Sequence, residues 1–145
     1  MTALVDDHVL VRALSDRLTE DDLDAIDDDW IGTTGCWYYR LCQAVRSPTV
    51  TGALSAPIGR LHGHQRDLVL ELVADLPDEI QVAPLRTLAP AMADLVQRHP
   101  LNLLALEAVA AARRLAACLV LDRTNAGPRL LAACEAEGIE VRLVG

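Results

Sequence analysis

Apolar and polar positions along this chain follow two periods, one of two residues and one of three to four, in alternating blocks. Thr2–Val5 is a short apolar run that stops at Asp6 and reads as a buried first strand. Val9, Leu10 and Leu14 then fall at helical spacing. In the acidic stretch Ser15–Asp29, Thr19 with Asp22 marks a helix start, and Leu23 with Ile26 forms its inward pair. Asp27–Asp29 reads as a solvated turn. Trp30–Gly32 is a second strand, after which Thr33 or Thr34 caps a helix from Gly35 to Arg46. Trp37, Leu41 and Val45 share one face of that helix. Ser47–Gly59, rich in Ser, Thr, Pro and Gly, reads as a loop. Leu61–Leu76 is helical, with a stripe of Leu68, Leu72 and Leu76 and with Val69 and Val73 beside it.

Pro77 and Asp78 break the chain, and Ile80 and Val82 alternating with Gln81 predict a strand. Thr87–Arg98 is a helix stopped by His99–Pro100. Leu101–Ala117 is a long apolar helix whose Leu103, Leu106, Ala110 and Leu115 predict burial on most sides. Cys118–Leu121 is a buried strand ending at Asp122. Arg129–Glu137 is a helix closed by Gly138, and Ile139, Val141 and Leu143 form a last strand. Strands alternating with helices imply right-handed crossovers. The predicted class is a three-layer α/β/α fold around a central, mainly parallel sheet of about four to five strands. It forms one domain over residues 1–145, without an internal repeat.

Composition changes this picture in two ways. Apolar residues make up 52% of the chain, enough for a real core, yet Phe is absent. Leu, Ala and Val dominate, which suits helices packed closely on a sheet. The net charge is −8 and all 13 basic residues are Arg, so the chain is a poor general binder of phosphate backbones. Nucleic acid would need a local Arg cluster or bound metal ions. No apolar run is long enough to span a bilayer, and the first ten residues carry Asp6 and Asp7 without a basic start. The expected location is therefore the cytoplasm, with no membrane partner. Cys36, Cys42, Cys118 and Cys134 form no CxxC pair and read as reduced, mostly buried thiols.

The candidate chemistry lies at strand ends. Asp6 follows Ala3-Leu4-Val5, and Asp122 follows Leu119-Val120-Leu121. If both strands are central and parallel, the two carboxylates meet beyond the carboxyl ends of the strands, where such sheets hold ligands. Clustered carboxylates bind hard cations such as Mg²⁺ or Mn²⁺, which activate water against a phosphodiester. An Asp at a strand end is also a common helix cap or turn former.

Longer stretches carry a resemblance. Ala3-Leu4-Val5-Asp6-Asp7-His8-Val9-Leu10 is similar to the opening of the PIN (PilT N-terminus) nuclease family, where an aliphatic strand delivers the first metal-binding Asp. Asn102–Ala112, with Glu107 followed by Ala-rich turns, resembles a later helix of that family. Cys118–Asp122, Arg129–Cys134 and Gly138–Val141 resemble its closing strand, helix and strand. The resemblance implies a Mg²⁺- or Mn²⁺-dependent ribonuclease. RNA would be its substrate, as for the toxin of a toxin–antitoxin pair, with a cognate antitoxin or another protein as partner and a homodimer as assembly. It assigns catalysis and metal binding to Asp6, Glu107 and Asp122, with Asn125 fitting the spacing to Gly138 slightly better than Asp122.

The family's second acid has no counterpart, because Arg40 stands where the Glu is expected. A guanidinium has no acceptor and stays protonated, so it cannot ligate a metal. It is expected instead to pair with Asp6, Glu107 or Asp122. The alternatives are a weakened nuclease and a folded, catalytically inactive PIN-like module that works through protein–protein contact.

Other candidates have plainer readings. Thr33 and Thr34 suit a phosphate at a helix start or, more simply, a cap. His62 and His64 have the HxH spacing of some metal sites but no Cys or carboxylate beside them, which leaves them as solvent-facing histidines. Trp37, Tyr38 and Tyr39 suit base stacking, or else Trp37 as core with partly exposed tyrosines. Arg113, Arg114, Arg123 and Arg129 form either a phosphate-binding rim or solvated helix ends.

Overall fold

Five strands form one sheet in the order β3-β2-β1-β4-β5, and every pairing is parallel. The strands are β1 (Thr2–Val5), β2 (Trp30–Thr34), β3 (Gln81–Ala83), β4 (Cys118–Asp122) and β5 (Val141–Val144). Seven α-helices connect them among the described residues: α1 (Asp7–Leu14), α2 (Glu20–Ile26), α3 (Gly35–Arg46), α4 (Gly63–Ala74), α5 (Leu85–Arg98), α6 (Leu103–Leu115) and α7 (Pro128–Ala136). This computed structural model describes residues 1–27, 29–46, 54 and 58–145. Most of the loop expected over 47–59 and the middle of the expected turn at Asp27–Asp29 lie outside the described residues.

Side-chain alternation in the central strands separates the two faces. Leu4, Leu119 and Leu121 point into one core with Trp37, Leu88, Leu95, Val109 and Ala133, beneath α5, α6 and α7. Ala3, Val5, Cys118 and Val120 point into the other with Val9, Leu10, Leu41, Val45, Val69 and Val73, beneath α1, α3 and α4. Helices on both faces of an all-parallel sheet make the three-layer α/β/α fold that the strand–helix alternation predicts. The Ala-rich face of α6, Ala108 to Ala112, is buried and lets this helix lie close to the sheet. No described helix is long and apolar enough to cross a membrane.

Local signals hold at most element ends. Thr19 and Asp22 make a reciprocal capping box at α2. Gly138 follows α7 with φ +69°, and the Ile139 amide donates to the Cys134 carbonyl at 2.8 Å. The packing faces of two helices differ from expectation. In α4 the buried stripe is Val69 and Val73, whereas Leu68 is exposed. In α6, Leu103 is 60% exposed and Leu115 also faces outward, so burial is confined to the Ala105–Ala112 turns. An apolar residue at helical spacing is buried only where a second element covers it. All four cysteines are free, with Cys118 and Cys134 buried and Cys36 and Cys42 half-buried.

The order of the strands decides where a site can form. The chain runs outward from β1 through β2 to β3, then returns to the other side of β1 for β4 and β5. The carboxyl ends of β1 and β4 therefore flank the topological switch point, the usual crevice for ligands in open α/β sheets.

Candidate functional site

At that switch point Asp6 is fully buried between the ends of β1 and β4. As the N-cap of α1, its Oδ1 accepts from the Val9 amide at 2.9 Å. Its Oδ2 accepts from the Asp122 amide at 2.7 Å and from Asn125 Nδ2 at 2.8 Å. The carboxylate thus ties the first helix to the far strand. Burial is the largest influence on it and pushes its pKa above the ordinary value, with the Asp7 charge acting the same way. Hydrogen bonds from Val9, Asn125 and Asp122 oppose the rise without cancelling it. Thr33 lies on the β2 side, where its hydroxyl donates to the Val5 carbonyl at 2.9 Å. Thr34 caps α3 by accepting from the Trp37 amide at 3.2 Å.

Asp7, also fully buried, faces Arg40 and Asn125. Asn125 Nδ2 donates to Asp7 Oδ1 at 2.9 Å as well as to Asp6, and Asn125 Oδ1 accepts from Arg40 Nη2 at 3.1 Å. Arg40 Nε lies 2.6 Å from Asp7 Oδ2. The two form a close ion pair. The expected pairing of Arg40 with Asp6, Glu107 or Asp122 is corrected here. Arg40 reaches out from α3 to the first residue of α1.

On the other flank, Asp122 Oδ1 accepts from the Thr124 amide at 3.0 Å and its hydroxyl at 2.8 Å, while Oδ2 accepts from Arg12 Nη1 at 3.1 Å. Arg12 also grips Asp22 through two parallel bonds, Nε to Oδ2 at 2.7 Å and Nη2 to Oδ1 at 2.8 Å. Burial alone would raise both carboxyls. The bonds from Thr124 and Arg12 outweigh it at Asp122, and those from Arg12 and Thr19 outweigh it at Asp22, so both lie below the ordinary range.

Glu107 is 1% exposed and has a different job. Its Oε1 accepts from the Cys36 amide at 2.7 Å, at the start of α3. A carboxylate there satisfies an orphan helix donor and sits at the positive end of the helix dipole. Burial and the neighbouring Glu107 charge push the Cys36 thiol up to about 11, which leaves it inert at neutral pH.

Asp6, Asp122 and Asn125 therefore come together, with Arg40 joined to them through Asn125, while Glu107 is engaged at the α3 start. Asp7 and Arg12 were not singled out from the sequence as site residues, and Asp22 was singled out only as the capping partner of Thr19. Asp7 had one available signal, its place beside Asp6 in the first turn of a helix. The pairing of Arg12 with Asp22 had none, because it links two helices.

A hard divalent ion needs several oxygen lone pairs turned toward one point. Here three N–H donors occupy the Asp6 oxygens, Thr124 and Arg12 occupy those of Asp122, and Arg40 lies against Asp7. Among the described residues, no three His, Cys, Asp or Glu side chains gather into a metal-holding group. As arranged, these residues do not fit Mg²⁺ or Mn²⁺. No family model matches the chain, and no curated protein matches it.

Proposed function

We propose that this chain is a PIN-like module that acts by binding a protein partner and not by hydrolysing phosphodiesters. The observation that supports this reading is the closed state of the acidic edge. Every carboxylate there has a partner within the chain: Asp7 has Arg40, Asp122 has Arg12 and Thr124, and Asp6 has Val9, Asp122 and Asn125. A net charge of −8 without Lys also works against a phosphate backbone. Exposed Leu85, Val82 and Leu115 at the open edge of β3 supply apolar surface for a protein contact.

The second reading is the metal-dependent ribonuclease, acting on RNA as a toxin held by an antitoxin. The convergence of Asp6, Asp7 and Asp122 at the switch point favours it. A Mn²⁺ titration followed by thermal unfolding separates the two. An ion at 100 times its Kd would stabilise the native state by about 2.7 kcal/mol. We expect no such rise in wild type at millimolar Mn²⁺. A rise that disappears in Asp6→Ala overturns the first reading in favour of the second.

A further inference from the structure

We propose that the open edge of β3 takes up an extended, basic segment of a partner protein as an added strand. The inference rests on the binding-module reading above and names the chemistry of the partner. β3 is the last strand of the sheet and pairs only with β2. Among the described residues, the backbone of Gln81–Ala83 makes no other main-chain hydrogen bond, so its outward N–H and C=O groups are open to a further strand. The opposite edge differs, because Arg142 on β5 donates to the Ala25 carbonyl of α2 at 2.6 Å and ties that helix to the strand. Gln81, Val82 and Ala83 include neither a proline nor a charge, the residue types that commonly block an edge.

Beside this edge runs an open groove of about 500 Å³, lined by Tyr38, Leu76, Pro77, Ile80, Val82 and Leu115. Alternate side chains of an added strand point to one face, so every second residue of the segment is directed at the groove. β3 is only three residues long, so backbone bonds to it are few and apolar side chains in the groove supply much of the affinity. Asp75, Asp78 and Glu79 are exposed just before β3, and none of them is in an ion pair among the described residues. They differ in this from the carboxylates at the switch point, which Arg12 and Arg40 neutralise. Three carboxylates without an internal cation select Lys or Arg at that end of the segment, and Arg86, exposed beyond the other end of β3, disfavours a basic residue there. A second copy of this chain brings a net charge of −8 to the same face, which opposes self-association.

The test is selection from a phage-displayed library of random peptides on the full chain, followed by affinity measurements on the selected sequences as synthetic peptides. We expect enrichment of Lys or Arg next to alternating β-branched or aromatic residues. Binding should weaken by about tenfold in Asp78→Lys/Glu79→Lys, which reverses the charge beside the groove, and in Val82→Lys, which puts a charge on the edge. Methylation of alternate backbone nitrogens in the peptide should weaken it by a similar, roughly tenfold, amount, because an added strand needs those N–H groups. No enrichment, or selected peptides that bind both variants as tightly as wild type, overturns the inference. If Val82→Lys does not fold, Asp78→Lys/Glu79→Lys decides, since both of its positions are exposed. A wild-type dimer in sedimentation that Val82→Lys dissociates assigns the edge to a second copy and overturns the partner segment. A Mn²⁺ response that depends on Asp6 counts against the binding-module reading, whereas failed peptide selection without such a response removes only the β3 site, so the two failures are distinguishable.

Discussion

Glu107→Ala separates a carboxylate that holds the fold from one gathered for a metal. Glu107 is buried in α6, and its Oε1 accepts the Cys36 amide at 2.7 Å. Losing a charged acceptor and leaving that amide unpaired costs about 1.5–3 kcal/mol. The space vacated by the side chain adds a cavity cost of about 1 kcal/mol. The expected loss is roughly 3 kcal/mol. For a chain of 145 residues this lowers Tm by about 10 °C. Glu107→Gln keeps an acceptor oxygen and loses only the charge, so its cost is about 1 kcal/mol. Gly35→Ala is the control on the facing side. Its new methyl would sit 3.5 Å from Glu107 Oε2, an ordinary contact, and should leave stability unchanged or raise it by up to about 1 kcal/mol.

The assay is urea unfolding in buffer containing EDTA, which compares the metal-free proteins. A metal-gathering carboxylate repels its neighbours when the ion is absent, so removing it stabilises the metal-free protein. A helix-capping carboxylate behaves in the opposite sense. Glu107→Ala matching or exceeding wild-type stability in EDTA refutes the capping role.

Three further expectations follow from the same geometry. Arg12→Met leaves Asp22 and Asp122 without their shared cation and should cost about 2–3 kcal/mol by urea unfolding, the pair being partly exposed; a loss under about 0.5 kcal/mol would match a surface pair instead. Asp22 and Asp122 lie below the ordinary carboxyl range, so their contribution is present above the unfolded value near ~3.9 and is lost as pH falls through their folded values. Asp6 runs the other way: burial raises it, so its contribution is full below the unfolded value and is lost as pH rises through the folded one. The urea midpoint should therefore increase as pH falls through the folded value of Asp6 and drop as pH falls through those of Asp22 and Asp122, and a fall with no intervening rise contradicts this. Gly32→Ala places a methyl 3.1 Å from Thr2 Cγ2 and 3.2 Å from Leu4 Cδ2, between paired β1 and β2, and should cost about 1–3 kcal/mol; wild-type stability would show that β1 yields there.

The sequence by itself determined the elements and the fold class. Strand–helix alternation, the Thr19–Asp22 box, the Gly138 stop and the paired strand-end acids Asp6 and Asp122 are local patterns, and local sterics and hydrogen bonding enforce them. The pairwise strand alternation also divides the core, since Leu4 and Val5 must face opposite layers. What each charged side chain meets was decided only by the tertiary structure. Asn125 reaches Asp6 across 119 positions, Arg12 reaches Asp122 across 110, and Glu107 reaches Cys36 across 71. No local pattern encodes such contacts, because they depend on strand order and on where each helix begins. The same reason governs the exposed ends of α6 and the offset stripe of α4: helical spacing marks a face, and only a covering neighbour makes it core. Arg40 shows both sides. Its presence where an acid was expected is legible in the chain, whereas its partner, Asp7, follows from how α3 lies against the start of α1.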